Sequence, residues 1–493
     1  MTIDAGQRLS RTSKPRNVGI VHLGLGAFFR AHGAIYLQEI MTSADREWSG
    51  VDTGDGHSGA EAWGVIGVSL RSPNVRDSLA PQGFVYTAME LSAHGLKSQT
   101  VDAVQGVLVA PESPEAVLDA MAENSTKIVS LTITEKGYCR RGTQAAIDFD
   151  HPDIQHDLQH KMPRSAPGFL VRALERRWQG SQSPFTVLSM DNLPANGQLT
   201  QNIVLSLASR INPALAEWVR SECRFPSTMV DRIVPATTDD MIERARRETG
   251  VFDPALVVHE PFRQWVVQDD FVGGIRPDLE RSGVQLVQEV APFESMKLRM
   301  LNGSHSALAY IGSLIGHGTV EDAIKDAGIE RFIDALWGDE IAPSLVAPAG
   351  TDLAAYAGLL KMRYQNPEIR HLLYQIASDG TAKLPQRILD PLFENHAAGR
   401  PYGGLLTVLA AWFRYVEQQV KAEDENGLND PLKAQLTRAV KQATDDAGLT
   451  RNLLSLTPVF GSYPVASIEV ELIARLEQIG LLSDSAVLHG AKA

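Results

Sequence analysis

The chain has 493 residues, with 46 basic and 59 acidic side chains and a formal net charge of -13. This length exceeds what one hydrophobic core usually organises, so we expect two or three domains with room for a cleft. We do not expect the chain to bind nucleic acid, because its net negative charge would repel phosphate backbones.

The start of the chain and its cysteines predict a cytoplasmic protein. Residues 1–17 lack the apolar core of a signal peptide, and no stretch approaches the ~20 consecutive apolar residues of a membrane span. Cys139 and Cys223 are the only cysteines and lie far apart. They provide neither a disulfide framework nor a spaced cluster for zinc. We therefore expect no membrane partner and no metal.

Short apolar runs in the first half predict strands that are buried on both faces. These runs cover 19–24, 62–70, 127–134 and 184–190, and helical patterns cover 113–122 and 168–178. Buried strands that alternate with helices indicate a parallel α/β sheet, doubly wound and of Rossmann type. From about residue 296, long helical patterns replace the strands. We predict a Rossmann-type dinucleotide-binding domain over 1–288 and a mainly helical substrate and catalytic domain over 289–493.

A glycine turn follows the first predicted strand. Gly24 and Gly26 would let the backbone approach a pyrophosphate, which the N-terminus of the following helix would stabilise. Phe29 stands where the G-x-G-x-x-G pattern has its third glycine. A purely structural turn therefore stays an alternative explanation.

The residues alone leave the choice between NAD and NADP open. An acidic residue after the second strand would bind the ribose 2'-hydroxyl and select NAD, but none follows the run 62–70 directly. Asn74 is a candidate for the ribose. Arg71 or Arg76 would instead suit the 2'-phosphate of NADP.

Polar residues cluster in an apolar helical pattern near residue 300. At ~100° per residue, Lys297, Asn302 and His305 can face one cleft. Oxidation of an alcohol without a metal needs a group that accepts the hydroxyl proton, and desolvation can lower the pKa of a lysine toward neutrality. Asparagine N–H groups would stabilise a developing alkoxide. Taken singly, a solvent-reaching lysine, a capping asparagine and a core histidine are the alternative explanations.

Polar residues elsewhere also suit a ligand site. Asn192 follows a buried strand, where open α/β sheets bind ligands. Asp231 and Arg232 follow an apolar run, and a surface ion pair is the simplest explanation for them. The segment 379–387 is a basic loop that would hold a polyhydroxylated or anionic substrate, or would simply be solvated.

Several segments together carry a family resemblance: GLGAFFRAH (24–32), SLTITEKGYC (130–139), SMDNL (189–193), MVDRI (229–233) and KLRMLNGSH (297–305). They resemble the mannitol dehydrogenase family of polyol-specific long-chain dehydrogenases, over nearly the whole chain. The family pattern G-x-G-x-F-x-R also explains the absence of the third glycine. The resemblance implies a Rossmann-type N-terminal domain, a mostly helical C-terminal domain and catalysis without metal.

The resemblance also implies roles for individual residues. Lys297 would be the general base, Asn192 and Asn302 would form the oxyanion site, and His305 would orient the substrate. Glu294 would line the proton's exit route. Asp231 and Lys383 match substrate-contacting positions. The expected cofactor contacts are Ile20, Gly24, Gly26, Ala27, Phe28, Arg30, Asn74, Thr134 and Glu135.

Within the family, the segments 260–272, 291–310 and 374–391 look most like the fructuronate reductases, or D-mannonate oxidoreductases. Mannitol 2-dehydrogenases resemble each other in an arginine eight residues before the substrate lysine, where this chain has Gln375. The carboxylate of a sugar acid needs a cation or donors. The nearby candidates are Arg370, His371, Lys383 and Arg387.

The expected reaction is hydride transfer between NAD(H) and a sugar acid, D-mannonate giving D-fructuronate. One alternative is the oxidation of a free polyol such as mannitol or arabinitol. Another is a dinucleotide-binding sensor without turnover, although the intact Lys297 site argues against it. NADP stays an alternative cofactor. The expected partner is a small molecule, and the expected assembly is a monomer or a small homo-oligomer.

Overall fold

The computed structural model describes residues 7–47, 63–93, 95–141, 146–422 and 427–490, without the side chains of 44–47 and 480–490. The chain divides into two compact units, Met1–Ala291 and Pro292–Ala493. The boundary expected from the sequence lies between residues 288 and 289. Residues 1–6, part of the segment behind the localisation expectation, lie outside the described residues.

The first unit is built on a five-stranded sheet in the order β5-β2-β1-β6-β7, and each neighbouring pair is parallel. By position in the chain this is the 3-2-1-4-5 order of a doubly wound fold. The predicted Rossmann-type sheet is therefore confirmed. Two three-stranded sheets, β11-β10-β8 and β4-β3-β9, accompany it. The strands are β1 (Val18–Leu23), β2 (Gly64–Ser69), β3 (Tyr86–Ser92), β4 (Gly95–Val101), β5 (Val104–Val109), β6 (Ile128–Leu131), β7 (Thr186–Ser189), β8 (Thr228–Asp231), β9 (Val257–His259), β10 (Gln264–Gln268) and β11 (Gln285–Val287).

Helices cover both faces of the five-stranded sheet. Strand β1 shows why, because Ile20 packs into one hydrophobic cluster and Val21 into the other. Alternate residues of a strand point to opposite faces, so both faces of this apolar strand are buried. The helices of this unit are α1 (Ala27–Ala31), α2 (Gly33–Glu47), α3 (Asn74–Leu79), α4 (Pro114–Ala122), α5 (Thr134–Gly137), α6 (Pro152–Gln159), α7 (Ala166–Gln179), α8 (Asn196–Ile211), α9 (Pro213–Glu222) and α10 (Asp239–Thr249), with 3₁₀ turns at Ala80–Gln82, Val272–Gly274 and Leu279–Ser282.

The second unit is mostly helical, as predicted. The α-helices are α11 (Ala291–Met296), α12 (Gly303–Leu314), α13 (Val320–Lys325), α14 (Ala327–Ala335), α15 (Leu353–Tyr364), α16 (Leu373–Ala377), α17 (Gly380–Leu384), α18 (Asp390–Ala397), α19 (Gly403–Lys421), α20 (Lys433–Lys441), α21 (Asp446–Leu454), α22 (Thr457–Phe460) and α23 (Glu469–Gly490). Helix α12 is buried along most of its length and packs against α16 and α19. Three π-helical segments, Lys297–Asn302, Leu336–Ile341 and Pro385–Leu389, and 3₁₀ turns at Ala342–Ser344 and Val465–Ser467 complete the unit. In the described part of the chain, no helix is both long and apolar enough to cross a membrane.

Candidate active site

The glycine turn after β1 has the geometry that a dinucleotide site needs. Gly24 has a φ of +91°, and a Cβ there would lie 2.3 Å from the backbone oxygen of Thr132. Only glycine combines this φ with such a close approach. A Cβ at Gly26 would meet nothing nearer than the Gly24 oxygen at 3.8 Å. The turn therefore leaves open space beside Gly26, where a pyrophosphate would fit.

The helix after this turn is short. Helix α1 stops after five residues because His32 leaves the helical region, with φ -130° and ψ -86°. Phe29, at the position of the missing third glycine, is buried and stacks on His22 with ring centroids 3.5 Å apart. A Cβ at Gly33 would lie 2.8 Å from the Phe29 ring. In the usual fingerprint the third glycine permits close packing between helix and strand. Here the closely packed glycine is Gly33, four residues after Phe29.

The predicted cofactor residues fall into two groups. Ile20 and Arg30 are buried, and the Arg30 guanidinium donates to the Ala255 carbonyl oxygen at 2.6 Å. These two residues support the turn from inside the unit. The others are half-buried or exposed around the carboxyl end of the sheet: Gly24, Gly26, Ala27, Phe28, Asn74, Thr134 and Glu135. Their direct contact with a cofactor stays a prediction.

Asp191 is a residue that the sequence analysis passed over. Its carboxylate accepts hydrogen bonds from the backbone N–H groups of Ile133 and Thr134, at 3.1 and 2.8 Å, and from the Tyr138 hydroxyl at 2.8 Å. Thr134 has a φ of +60°, a left-handed conformation that costs energy for a β-branched residue. Burial raises the pKa of Asp191. Its position beside Asn192, just after a predicted strand, is the sequence feature that could have identified it as a site residue.

Asn192 itself is exposed in the segment after β7. The neighbouring Asn196 is fully buried, and its amide donates to the backbone oxygens of Asp191 and Thr228 at 2.9 and 3.0 Å. It thereby joins the segment after β7 to β8, which ends at Asp231. Asp231 and Arg232 are only 5 and 8 % exposed, so a surface ion pair is the wrong explanation for them. Arg232 donates to the backbone oxygens of Ala31 and Glu260.

In the second unit, Lys297 opens a π-helical segment that ends at Asn302. The backbone N–H of Gly303 donates to the carbonyl of Leu298, five residues earlier. The estimate of ~100° per residue holds for an α-helix, in which residues five apart differ by ~140° around the axis. The wider π turn brings such residues closer to one face, and π-bulges are frequent at functional sites. The expectation of a regular α-helix is therefore corrected.

Polar atoms without partners gather around this segment. Among the described residues, Asn302 Oδ1, His305 Nε2, Tyr310 OH and His371 Nδ1 are buried and accept or donate no hydrogen bond. The ring of His305 lies 5.2 Å from that of His371 and 4.8 Å from that of Tyr364. Buried polar groups are normally satisfied, so several unsatisfied ones in one place indicate a ligand that supplies the missing partners.

Electrostatics keep both imidazoles neutral. Burial is the main cause that lowers the pKa of His305 well below 6.5, and the nearby cations Arg363 and Arg387 lower it further. The pKa of His371 is lowered by burial and by Lys383. A neutral His305 can donate or accept a hydrogen bond but is not a proton source near neutral pH. Lys297 is 7 % exposed, and Glu294 is half-buried in α11.

The four carboxylate candidates differ in their surroundings. Lys383 donates to the backbone oxygens of Ser378 and Ile376, at 2.6 and 3.3 Å. Arg370 is exposed, as is Gln375. Arg387 lies beside the cluster, because its Nη1 is 3.5 Å from the Asn302 backbone oxygen and 3.3 Å from Ser306 Oγ. Burial lowers the pKa of Arg387.

The second unit thus brings Asn302, His305, His371 and Arg387 into one neighbourhood, and Lys297 begins the π-helical segment that ends at Asn302. Asn192, Asp231 and the cofactor positions belong to the first unit, so their expected roles with Lys297 stay predictions. Across the described ranges, no group of three or more His, Cys, Asp or Glu side chains is arranged to hold a metal ion.

Family models match both units. A model described as the mannitol dehydrogenase Rossmann domain matches residues 18–281, and one described as the mannitol dehydrogenase C-terminal domain matches residues 289–478. D-mannonate oxidoreductase of Escherichia coli (strain K12) is 41 % identical over 450 residues, which are 90 % of this chain and 88 % of that protein.

Solved structures agree with these matches. A substrate-free D-sorbitol dehydrogenase superposes with a TM-score of 0.85 at 29 % identity, covering 97 % of both chains. Mannitol 2-dehydrogenase of Pseudomonas fluorescens, in a ternary complex with NAD and D-mannitol, superposes with a TM-score of 0.78 at 33 % identity. That comparison covers 99 % of this chain and 97 % of the other.

Proposed function

The chain belongs to the mannitol dehydrogenase family of oxidoreductases, and from this we propose that it transfers hydride between NAD(H) and a sugar acid, D-mannonate giving D-fructuronate. The names of the relatives include a sugar acid, D-mannonate, and a polyol, mannitol. Family membership supports a polyol or sugar-acid dehydrogenase, and the choice between the two rests on the site itself.

The observation that carries the proposal is the state of Arg387. Its side chain donates only weakly, to one backbone oxygen and one hydroxyl. Within the described residues no carboxylate forms an ion pair with it, and Lys383 is a neighbouring cation. A desolvated cation without an anion is costly, and the usual remedy is a partner carboxylate. A substrate carboxylate would supply that partner in the bidentate form that arginine favours.

A neutral polyol would leave this charge uncompensated. Its hydroxyls would satisfy Asn302, His305 and His371, whose unpartnered atoms suit a polyhydroxylated chain. The cluster therefore fits a substrate that has both hydroxyls and one carboxylate. We assign the carboxylate to Arg387, with Lys383 adding positive charge, and keep Arg370 as an outer contact because it is exposed.

The chemistry assigned to the chain's own residues is proton transfer and charge stabilisation. During oxidation, Lys297 takes the hydroxyl proton while the hydride leaves the same carbon, and the carbonyl forms. A bound nicotinamide would supply the hydride acceptor for oxidation and the hydride donor for the reverse reaction. Asn302 and Asn192 stabilise the negative charge on the oxygen, His305 orients the hydroxyl, and Glu294 lines the proton's exit. Residues 1–288 would bind the dinucleotide, and 289–493 would bind the substrate, with Asp231 as a further contact.

The test compares substrates and one variant. We expect the purified chain to reduce D-fructuronate with NADH at a kcat/KM at least about a hundredfold above that for D-fructose. Arg387→Gln should remove most of this preference by lowering kcat/KM for fructuronate, with little change for fructose. Arg438→Gln, on the exposed face of α20, is the matched control. Equal use of both ketoses, or equal losses in Arg387→Gln, would favour the mannitol- or arabinitol-type polyol dehydrogenase instead.

A dinucleotide-binding sensor is the remaining alternative. It predicts NADH binding with no turnover on any sugar acid or polyol. Turnover that depends on Lys297 would exclude it.

A further inference from the structure

A cavity of about 540 Å³ lies in the first unit. Its walls include residues just beyond the carboxyl ends of three strands of the five-stranded sheet: Arg71 after β2, Pro111 after β5 and Ile133 after β6. Helices α4, α6 and α7 complete it from one side of the sheet. In doubly wound folds the carboxyl ends of these strands receive the dinucleotide, and the strand after the first crossover lies beside the adenosine ribose.

The lining of this cavity carries an excess of positive charge. Arg71, Lys136 and Arg164 face it, against the single carboxylate of Asp153. The N-terminal ends of α6 and α7 also border it, because His151, Ser165 and Ala166 belong to the wall. The buried carboxylate of Asp157 already accepts from the Arg164 and Ser165 N–H groups at the start of α7, so the three side-chain cations carry the preference for an anion.

The segment that follows β2 supports the same charge preference. An NAD-selective site places a carboxylate here for the ribose 2'-hydroxyl, but Leu70 to Asn74 contains none. The next acidic side chain, Asp77, is paired with Arg76 at 2.8 Å, and Arg76 also pairs with Glu112. Arg71 is exposed, and within the described residues no carboxylate forms an ion pair with it.

We propose that this cavity receives the adenosine end of the cofactor and that Arg71 binds a phosphate on its ribose 2'-oxygen, so that the chain accepts NADP(H) as well as NAD(H). The inference rests on the proposed dinucleotide-dependent function. Arg71 would hold the phosphate through paired N–H donors, and Lys136 and Arg164 would add favourable potential. Arg76 is unsuited to this role because its two carboxylate partners already neutralise it.

The test measures binding to the full chain without substrate, by fluorescence titration with NADH and NADPH. We expect dissociation constants within about tenfold of each other. Arg71→Ala should weaken NADPH binding by about tenfold or more and NADH binding by less than about threefold. Arg76→Ala, five residues along, is the matched control and should change the ratio of the two constants less than Arg71→Ala does.

Four outcomes would overturn the inference. NADPH binding more than about a hundredfold weaker than NADH binding would contradict it while leaving the proposed function intact. Equal effects of Arg71→Ala on both cofactors would remove Arg71 from 2'-phosphate recognition. Adenosine 2',5'-bisphosphate that binds without displacing NADH would make the cavity a separate anion site. Binding of neither dinucleotide would reject the proposed function as well, so the two failures are distinguishable.

Discussion

The carboxylate of Asp191 accepts a hydrogen bond of 2.8 Å from the backbone N–H of Thr134. This bond joins the end of β7 to the end of β6 and holds Thr134 at a φ of +60°. Two further donors, Tyr138 OH and the Ile133 N–H, reach the same carboxylate. Asp191 therefore shapes the loop that carries the expected cofactor residues Thr134 and Glu135.

Asp191→Asn should weaken this loop. An amide group turns one of the two acceptor oxygens into a donor that opposes an existing N–H, and an unsatisfied buried group costs about 1–3 kcal/mol. We expect a lower melting temperature and weaker NADH binding, measured by thermal unfolding and fluorescence titration. Asp270→Asn, at an exposed ion pair with Arg224, should change neither. Unaltered NADH affinity in Asp191→Asn would separate this network from cofactor binding.

Lys297→Ala should remove most of the turnover. A positioned general base contributes about 10²–10⁴-fold, and the strongly lowered pKa of the buried His305 makes that imidazole a weak substitute base. NADH binding should stay within about threefold of wild type, because the expected cofactor residues lie in the first unit. Lys325→Ala, at an exposed helical ion pair with Glu321, is the control. Wild-type turnover in Lys297→Ala would reject the assignment of the base.

Gly24→Ala should damage both folding and cofactor binding. The positive φ alone costs about 1–3 kcal/mol for alanine, and the Cβ would lie 2.3 Å from the Thr132 oxygen. Gly95→Ala separates the two effects, because Gly95 has a φ of +112° with no described atom within 4 Å of the added Cβ. We expect a larger drop in melting temperature for Gly24→Ala, and a loss of NADH affinity only there. Equal melting temperatures would show that the turn relaxes around the methyl group.

Stability should fall as the pH drops from 6.5 toward 5. Burial lowers the pKa values of His22, His32 and His259 to about 3. In the unfolded chain these groups take up protons below about pH 6.5, whereas in the folded chain they do so only near pH 3. Stability is therefore complete above pH 6.5 and is lost as the pH falls, by about 2 kcal/mol for each histidine at pH 5.

Urea unfolding at pH 7.5, 6.0 and 5.0 measures this loss. The range lies above the ordinary pKa values of carboxylates, so histidines dominate the change. A free energy of unfolding that stays constant from pH 7.5 to 5.0 would contradict the burial of neutral imidazoles. Above pH 7 the free energy of unfolding should not change with pH, and this range serves as the internal control.

Local patterns determined much of this protein. Short runs rich in apolar and β-branched residues, such as 127–134, indicated strands with both faces buried, and their alternation with helices indicated the parallel sheet. The glycines at 24 and 26 marked the turn because few other residues permit its backbone. Motif likeness indicated the family, which the family models and relatives confirm.

Other features depended on contacts between residues far apart in sequence. The π turn from Lys297 to Asn302 and the break at His32 depend on tertiary packing, which local propensities do not encode. Nothing in the local sequence distinguished Arg387, which has no carboxylate partner among the described residues, from Arg76, which Glu112 neutralises. Charge pairing is set by three-dimensional distance. The sequence by itself thus determined the architecture and the kinds of residues at the site. Only the tertiary structure decided which of those charges are left for a ligand, because burial and pairing arise when distant segments pack together.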